Sequence, residues 1–166
     1  GSMKNRFEKS REPFNMNELV EARIAKLNPN IIYERRDLTI VFNPSPKPVH
    51  VDGVLSNLEL MVDELIDNAI NFTPKGGTIT ITVGQQANQF VTFMVEDTGV
   101  GIHEADLPRI WERFVQINRE GQEQQGSGIG LSIVRDCARI HGGDCTLISE
   151  LGKGTQVTLT LPKSVL

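Results

Sequence analysis

Apolar side chains recur along the chain with two different periods, and the two divide it into helical and extended stretches. The strongest helical signal runs from about Val54 to Phe72. At about 100° per residue, Val54, Leu58, Met61, Val62, Leu65 and Ala69 share one face. Asn57, Glu64, Asn68 and Asn71 form a polar seam beside that stripe, and Pro74 with Gly76-Gly77 ends the helix. A shorter helix is predicted after Asn15, whose N-x-x-E spacing to Glu18 marks a helix start, with Leu19, Val20, Ala22, Ile24 and Leu27 following. A third spans Ile129–Ile140 and stops at Gly142-Gly143. Strands are predicted at Ile31–Arg35 and Leu38–Phe42, hinged at Arg36-Asp37, and briefly at Val49–Val51. Further strands follow at Thr78–Val83, Phe90–Glu96, Asp144–Glu150 and Thr155–Leu161, the last two joined as a hairpin around Gly152-Lys153-Gly154. The proline-rich run 43–48 reads as an extended connection, and residues 4–14 as a linker or frayed helix end. From Asp97 to Gly130, short helical pieces near Glu104–Leu107 and Ile110–Phe114 interrupt glycines, charges and glutamines. The sum is a two-layer α/β sandwich: one mixed, mostly antiparallel sheet with helices on one face.

Composition narrows the function classes. With 39% apolar and 23% charged residues, 166 residues suit one soluble globular domain. No apolar run approaches the ~20 residues that span a bilayer, and no leader pattern opens the chain, so no membrane contact is expected of this domain. A net charge of -4 argues against nucleic-acid binding by bulk electrostatics. Cys137 and Cys145 have no companion at metal-ligand spacing and read as reduced, buried thiols of a cytoplasmic domain. Gly1-Ser2-Met3 reads as an expression scar. The expected organisation is therefore scar and linker over 1–14, one domain over 15–162, and a tail over 163–166.

Three elements carry candidate chemistry. On the long helix, Asn68 sits at the edge of the apolar stripe with Glu64 one turn earlier. Its carboxamide either bonds neighbouring backbone or, with Glu64, holds a hydrated cation; magnesium takes oxygen ligands and keeps several waters, so one or two protein ligands suffice. At the end of an apolar strand, Glu96-Asp97-Thr98-Gly99-Val100-Gly101-Ile102 reads equally as a turn or as a base pocket. In the pocket reading, the Asp97 carboxylate accepts from an exocyclic amine and the glycines admit the ring. Gly126-Ser127-Gly128-Ile129-Gly130-Leu131 opens a helix, where backbone N–H groups form a phosphate cradle, although flexible loops carry the same pattern. It is neither a P-loop, lacking the Gly-Lys-Ser/Thr, nor a dinucleotide fingerprint, since no strand precedes it.

In order and spacing these elements resemble the catalytic, ATP-binding domain of sensor histidine kinases, in the superfamily that includes the gyrase and MutL ATPases. The resemblance covers roughly Asn15 to Leu161. Glu64–Asn71 looks like the family's N box, Asp97–Gly101 its G1 box, Trp111-Glu112-Arg113-Phe114 its F box and Gly126–Leu131 its G2 box. Gly152-Lys153-Gly154-Thr155 matches the glycine turn near the end, and Asn68-Ala69-Ile70-Asn71-Phe72-Thr73-Pro74 is a kinase-like continuation of the N box.

The resemblance implies a Bergerat-type ATP-binding fold and a role for each matching residue. Asn68 would bind Mg²⁺, with Glu64 either a base or a member of the magnesium water shell. Asp97 would contact the adenine amine, with Gly99, Gly101, Ile102, Phe72 and Thr155 around the base. Gly126, Ser127, Gly128, Ile129, Gly130 and Leu131 would meet the phosphates, and 115–125 would form a mobile lid. Asn71, Arg113 and Phe114 complete the expected site, Arg113 either reaching a phosphate or lying on the surface. Two departures stand out: Asn71 replaces a frequent lysine, and Trp111 the usual F-box phenylalanine. The implied activity is transfer of the ATP γ-phosphate to a histidine on a separate dimerisation domain, with a response regulator served through the full-length kinase. None of His50, His103 and His141 stands in the acceptor setting of such kinases, so this chain is expected to lack its own phosphoacceptor. A nucleotide-holding pseudokinase and an anti-sigma-type protein-serine kinase share the fold and are the alternatives.

Overall fold

The period-two alternation of Ile79, Ile81 and Val83 with threonines produces a strand with one dry face, and the rest of the fold is arranged around it. The computed structural model describes residues 11–111 and 130–165. In chain order its elements are β1 (Glu12–Asn15), α1 (Met16–Ala25), β2 (Thr39–Asn43), β3 (His50–Gly53), α2 (Leu55–Phe72), β4 (Thr78–Gln86) and β5 (Phe90–Asp97). A 3₁₀ segment (Glu104–Trp111), α3 (Gly130–Ile140), β6 (Asp144–Glu150) and β7 (Gly154–Pro162) follow. One five-stranded sheet has the order β2-β4-β5-β7-β6, parallel between β2 and β4 and antiparallel elsewhere. This is the expected mixed, mostly antiparallel sheet packed against helices.

The core lies between that sheet and α2. Leu58, Met61, Val62, Leu65, Ile66 and Ala69 are buried against Ile79, Ile81, Val95 and Leu159. At ~25 cal/mol per Å² of apolar surface, each such side chain contributes about 1.5–3 kcal/mol. The buried stripe of α2 is wider than predicted, because Ile66 and Ile70 are covered as well. α3 adds Leu131, Val134 and Ala138 at i, i+3 and i+7. Asn15 caps α1 as its spacing predicted: its side chain accepts from the Glu18 N–H at 3.2 Å. Among the described residues no helix is long and apolar enough to cross a membrane.

Three local readings need correcting. Ile31–Arg35 is a π-helical turn over Asn30–Arg35, closed by the Arg36 N–H on the Ile31 carbonyl at 3.0 Å. Only Ile32 of its apolar trio is buried, so the turn outcompetes a strand that has no partner. Residues 12–14, read as linker, are strand: β1 pairs antiparallel with β3 in a separate two-stranded sheet. Lys163 and Ser164, read as tail, join the other side of β3, where the Ser164 hydroxyl donates to Asp52 at 2.9 Å.

Candidate functional site

On α2, Leu65, Asn68, Ala69 and Phe72 recur at i, i+3, i+4 and i+7, so one face of the helix turns all four toward the end of β5. There they meet Asp97, Ile102, Leu131 and Thr155 around a cavity of about 290 Å³, mouth included, otherwise lined by apolar side chains. Six residues singled out in the sequence thus converge: Asn68, Phe72, Asp97, Ile102, Leu131 and Thr155.

Asn68 is the odd member of this lining. Its Nδ2 is buried and has no hydrogen-bond partner, which excludes the reading that neighbouring backbone satisfies it. An orphaned donor of this kind is worth roughly 1–3 kcal/mol of destabilisation, recovered when an acceptor arrives. Glu64, one turn earlier, is buried but lies outside the cavity lining. Together the carboxamide and carboxyl groups are hard oxygen donors on one helix face, a set that fits a magnesium ion retaining most of its waters.

Asp97 performs both roles proposed for it. Its Oδ1 accepts from the Gly99 N–H at 2.8 Å, forming the local turn, while the residue lines the cavity. The loop beyond it is clamped from two sides. A Cβ on Gly99 would stand 2.5 Å from the Phe72 carbonyl oxygen, so the loop rests directly on the end of α2. Gly101 has φ +76°, and a Cβ there would collide with the Glu150 carbonyl. From the β6–β7 turn, the Gly152 N–H donates to the Val100 carbonyl at 2.8 Å. The Ser149 hydroxyl accepts from the Ile102 N–H, also at 2.8 Å.

The C-terminal end of α2 is held by a residue read only as a hinge. The Arg36 guanidinium donates to the carbonyls of Ile70 and Thr73 at 2.8 and 2.6 Å, satisfying groups that a helix end leaves open. Trp111 is fixed in a comparable way, with the Arg135 guanidinium 3.4 Å from its ring centroid and Arg135 Nε donating to the Cys145 carbonyl at 3.2 Å.

The remaining predicted residues fall outside this convergence. Asn71 is on the last turn of α2, and Gly99 and Gly101 are in the loop, none of them lining the cavity. Gly130, with φ +70°, is the first residue of α3. Arg113, Phe114, Gly126, Ser127, Gly128 and Ile129 lie outside the described residues, as does the segment 115–125 expected to form a lid. Two contributors escaped the sequence reading, Arg36 and Ser149. Strand parity could have found the second: Cys145, Leu147 and Ser149 alternate onto one face of β6, which leaves a polar residue at the end of an apolar row.

Comparison with known proteins adds the following. The family model described as "Histidine kinase-, DNA gyrase B-, and HSP90-like ATPase" matches residues 53–165. The Histidine protein kinase DivJ of Caulobacter vibrioides is 36% identical over 157 residues, 95% of this chain and 26% of its own length. The Adaptive-response sensory kinase SasA of Synechococcus sp. is 39% identical over 144 residues, 87% of this chain and 37% of its own length. Full-length ShkA, solved in complex with AMPPNP, superposes with a TM-score of 0.79 at 25% identity, covering 96% of this chain and 32% of that one. The chain therefore spans well under half the length of these relatives.

Proposed function

We propose a function from one established premise: the chain belongs to the histidine kinase-, DNA gyrase B-, and HSP90-like ATPase family. It acts as the nucleotide-binding catalytic domain of a sensor histidine kinase, holding Mg·ATP and presenting the γ-phosphate to a histidine on a separate dimerisation domain. In the full-length kinase a response regulator takes up the signal, and the domain works in the cytoplasm, where ATP is available. The observation that carries the reading is the convergence of Asn68, Phe72, Asp97, Ile102, Leu131 and Thr155 on one cavity.

Each residue then has a task. Asp97 accepts from the adenine amine, and the apolar walls around Phe72 and Ile102 take the ring faces. Asn68, with its buried unpaired Nδ2, faces the metal and phosphates, and Glu64 orders the water beside it. Magnesium neutralises phosphate charge as the γ-phosphoryl group is transferred. Gly126, Ser127, Gly128 and Ile129, with Gly130 and Leu131 at the start of α3, line the phosphates with backbone N–H groups. Arg113 reaches the phosphates as well, and Phe114 and Asn71 flank the site. Positioning and charge neutralisation supply most of the rate in such chemistry, so the protein's contribution is a rigid base pocket and an aligned phosphate.

The test is phosphotransfer. The chain is incubated with γ-labelled ATP and magnesium, alone and with a histidine-bearing dimerisation domain of a related kinase. The expected result is an acid-labile label that appears only on the added domain. Acid-stable label would point to serine transfer, and nucleotide binding with no label on any acceptor would leave a binding module.

A further inference from the structure

The sheet register sets Ser149, Thr155 and Asp97 side by side on the helix-covered face of three neighbouring strands. Only the last two line the cavity, and Ser149 stands one strand further out. Its Oγ accepts from the Ile102 N–H at 2.8 Å, donates to the Gly154 carbonyl at 3.1 Å, and lies 2.8 Å from Thr155 Oγ1. A serine hydroxyl carries one proton and two lone pairs. The amide can only donate and the carbonyl can only accept, so these two contacts take one lone pair and the proton. What is left for Thr155 is a lone pair, and the Thr155 hydroxyl donates to Ser149. Thr155 therefore turns lone pairs toward the cavity, beside a carboxylate that is also an acceptor.

We propose that Ser149 is a specificity-determining positioning residue for the nucleobase: by holding Thr155 as an acceptor and Ile102 in place, it makes the pocket select 6-amino over 6-oxo purines. The inference rests on the nucleotide reading above and deepens it. A 6-amino purine brings donor hydrogens to the paired acceptors. A 6-oxo purine brings an oxygen lone pair against them, and such a mismatch is how a site rejects the wrong partner. Without Ser149, the Thr155 proton is free to turn into the cavity and meet that oxygen, and the Ile102 N–H loses its acceptor.

Competition binding of ATP and ITP to the full 166-residue chain tests this, with Ser149→Ala and Ser149→Thr beside the wild type. Loss of one or two hydrogen bonds of ordinary strength should cut the ATP-to-ITP affinity ratio about five- to tenfold in Ser149→Ala, with ITP bound no more weakly than by wild type. Ser149→Thr keeps the oxygen and should hold the ratio within about twofold of wild type, on the same scale. A purely structural role would weaken both nucleotides equally. That outcome, an unchanged ratio, or a Ser149→Thr variant that behaves like Ser149→Ala would each overturn the proposal. Should Ser149→Ala fail to fold, Ser149→Cys carries the same comparison, because a thiol accepts too weakly to hold the Thr155 proton. A wild type that binds neither nucleotide overturns the nucleotide reading and this inference with it. ATP binding that is lost in Asp97→Ala, with a ratio insensitive to Ser149, overturns this inference alone.

Discussion

Replacing Gly101 by alanine separates backbone conformation from close approach, because Gly76 provides a matched control. Both residues have positive φ, +76° and +88°. At Gly76 an added Cβ meets nothing within 4 Å, whereas at Gly101 it would collide with the Glu150 carbonyl and stand 2.9 Å from Leu151 Cα. Gly76→Ala therefore carries only the left-handed penalty, about 1–2 kcal/mol, partly offset by the less flexible unfolded chain. Gly101→Ala carries that penalty and also drives the loop off the β6–β7 turn. The move breaks the Gly152–Val100 and Ser149–Ile102 hydrogen bonds, at about 1 kcal/mol each. The expected losses are about 3–4 kcal/mol for Gly101→Ala and about 1 kcal/mol for Gly76→Ala, or about 6–16 °C against 2–4 °C in thermal midpoint. Differential scanning calorimetry gives the stabilities, and nucleotide titration of the folded variants gives the second readout. Gly76→Ala should bind ATP as wild type does, and Gly101→Ala should not. Equal midpoint shifts for the two variants would refute the claim that the loop is clamped by steric fit.

Three further outcomes follow from the same geometry. Asn68→Ala should lower Mg·ATP affinity about tenfold while leaving metal-free ATP binding within about twofold, since the lost contact is one to the metal and phosphates; calorimetry with magnesium and with chelator distinguishes the two. Arg36→Met removes two charge-assisted bonds from the end of α2 and should destabilise the chain by about 2 kcal/mol in urea titration, with the slope unchanged. Burial pushes the Cys145 thiol up to about 12, so a thiol reagent near neutral pH should leave Cys145 unmodified until denaturant is added, as peptide mapping would reveal.

Legibility followed how local each interaction is. The long helix was readable because its apolar stripe is set by a period within one segment, and the structure extends that stripe only to Ile66 and Ile70. β4 ran beyond the predicted Val83 to Gln86, because Ala87 and Asn88 both take positive φ in the turn to β5. The strand Glu12–Asn15 exists only through its pairing with His50–Gly53, some forty residues away, and carries no periodicity of its own. Ile31–Arg35 misled for the opposite reason: its residues favour strands intrinsically, but no neighbouring strand pairs with it. In the site, Asp97 and Asn68 announced themselves as polar groups at the edges of apolar elements. Arg36 and Ser149 did not, since their partners are a helix end 34 and 37 residues away and a loop 47 residues away.

The central claim, that the cavity between α2 and β5 is a nucleotide site read by Asp97, is tested most directly by titrating Mg·ATP into wild type, Asp97→Ala and Asp97→Asn. A hydrogen bond to a charged group is worth about 1.5–3 kcal/mol, so both variants should lose about 10- to 150-fold in ATP affinity. Inorganic tripolyphosphate with magnesium, which has no base to read, should bind all three proteins alike. Equal ATP affinity in wild type and Asp97→Ala would contradict the account.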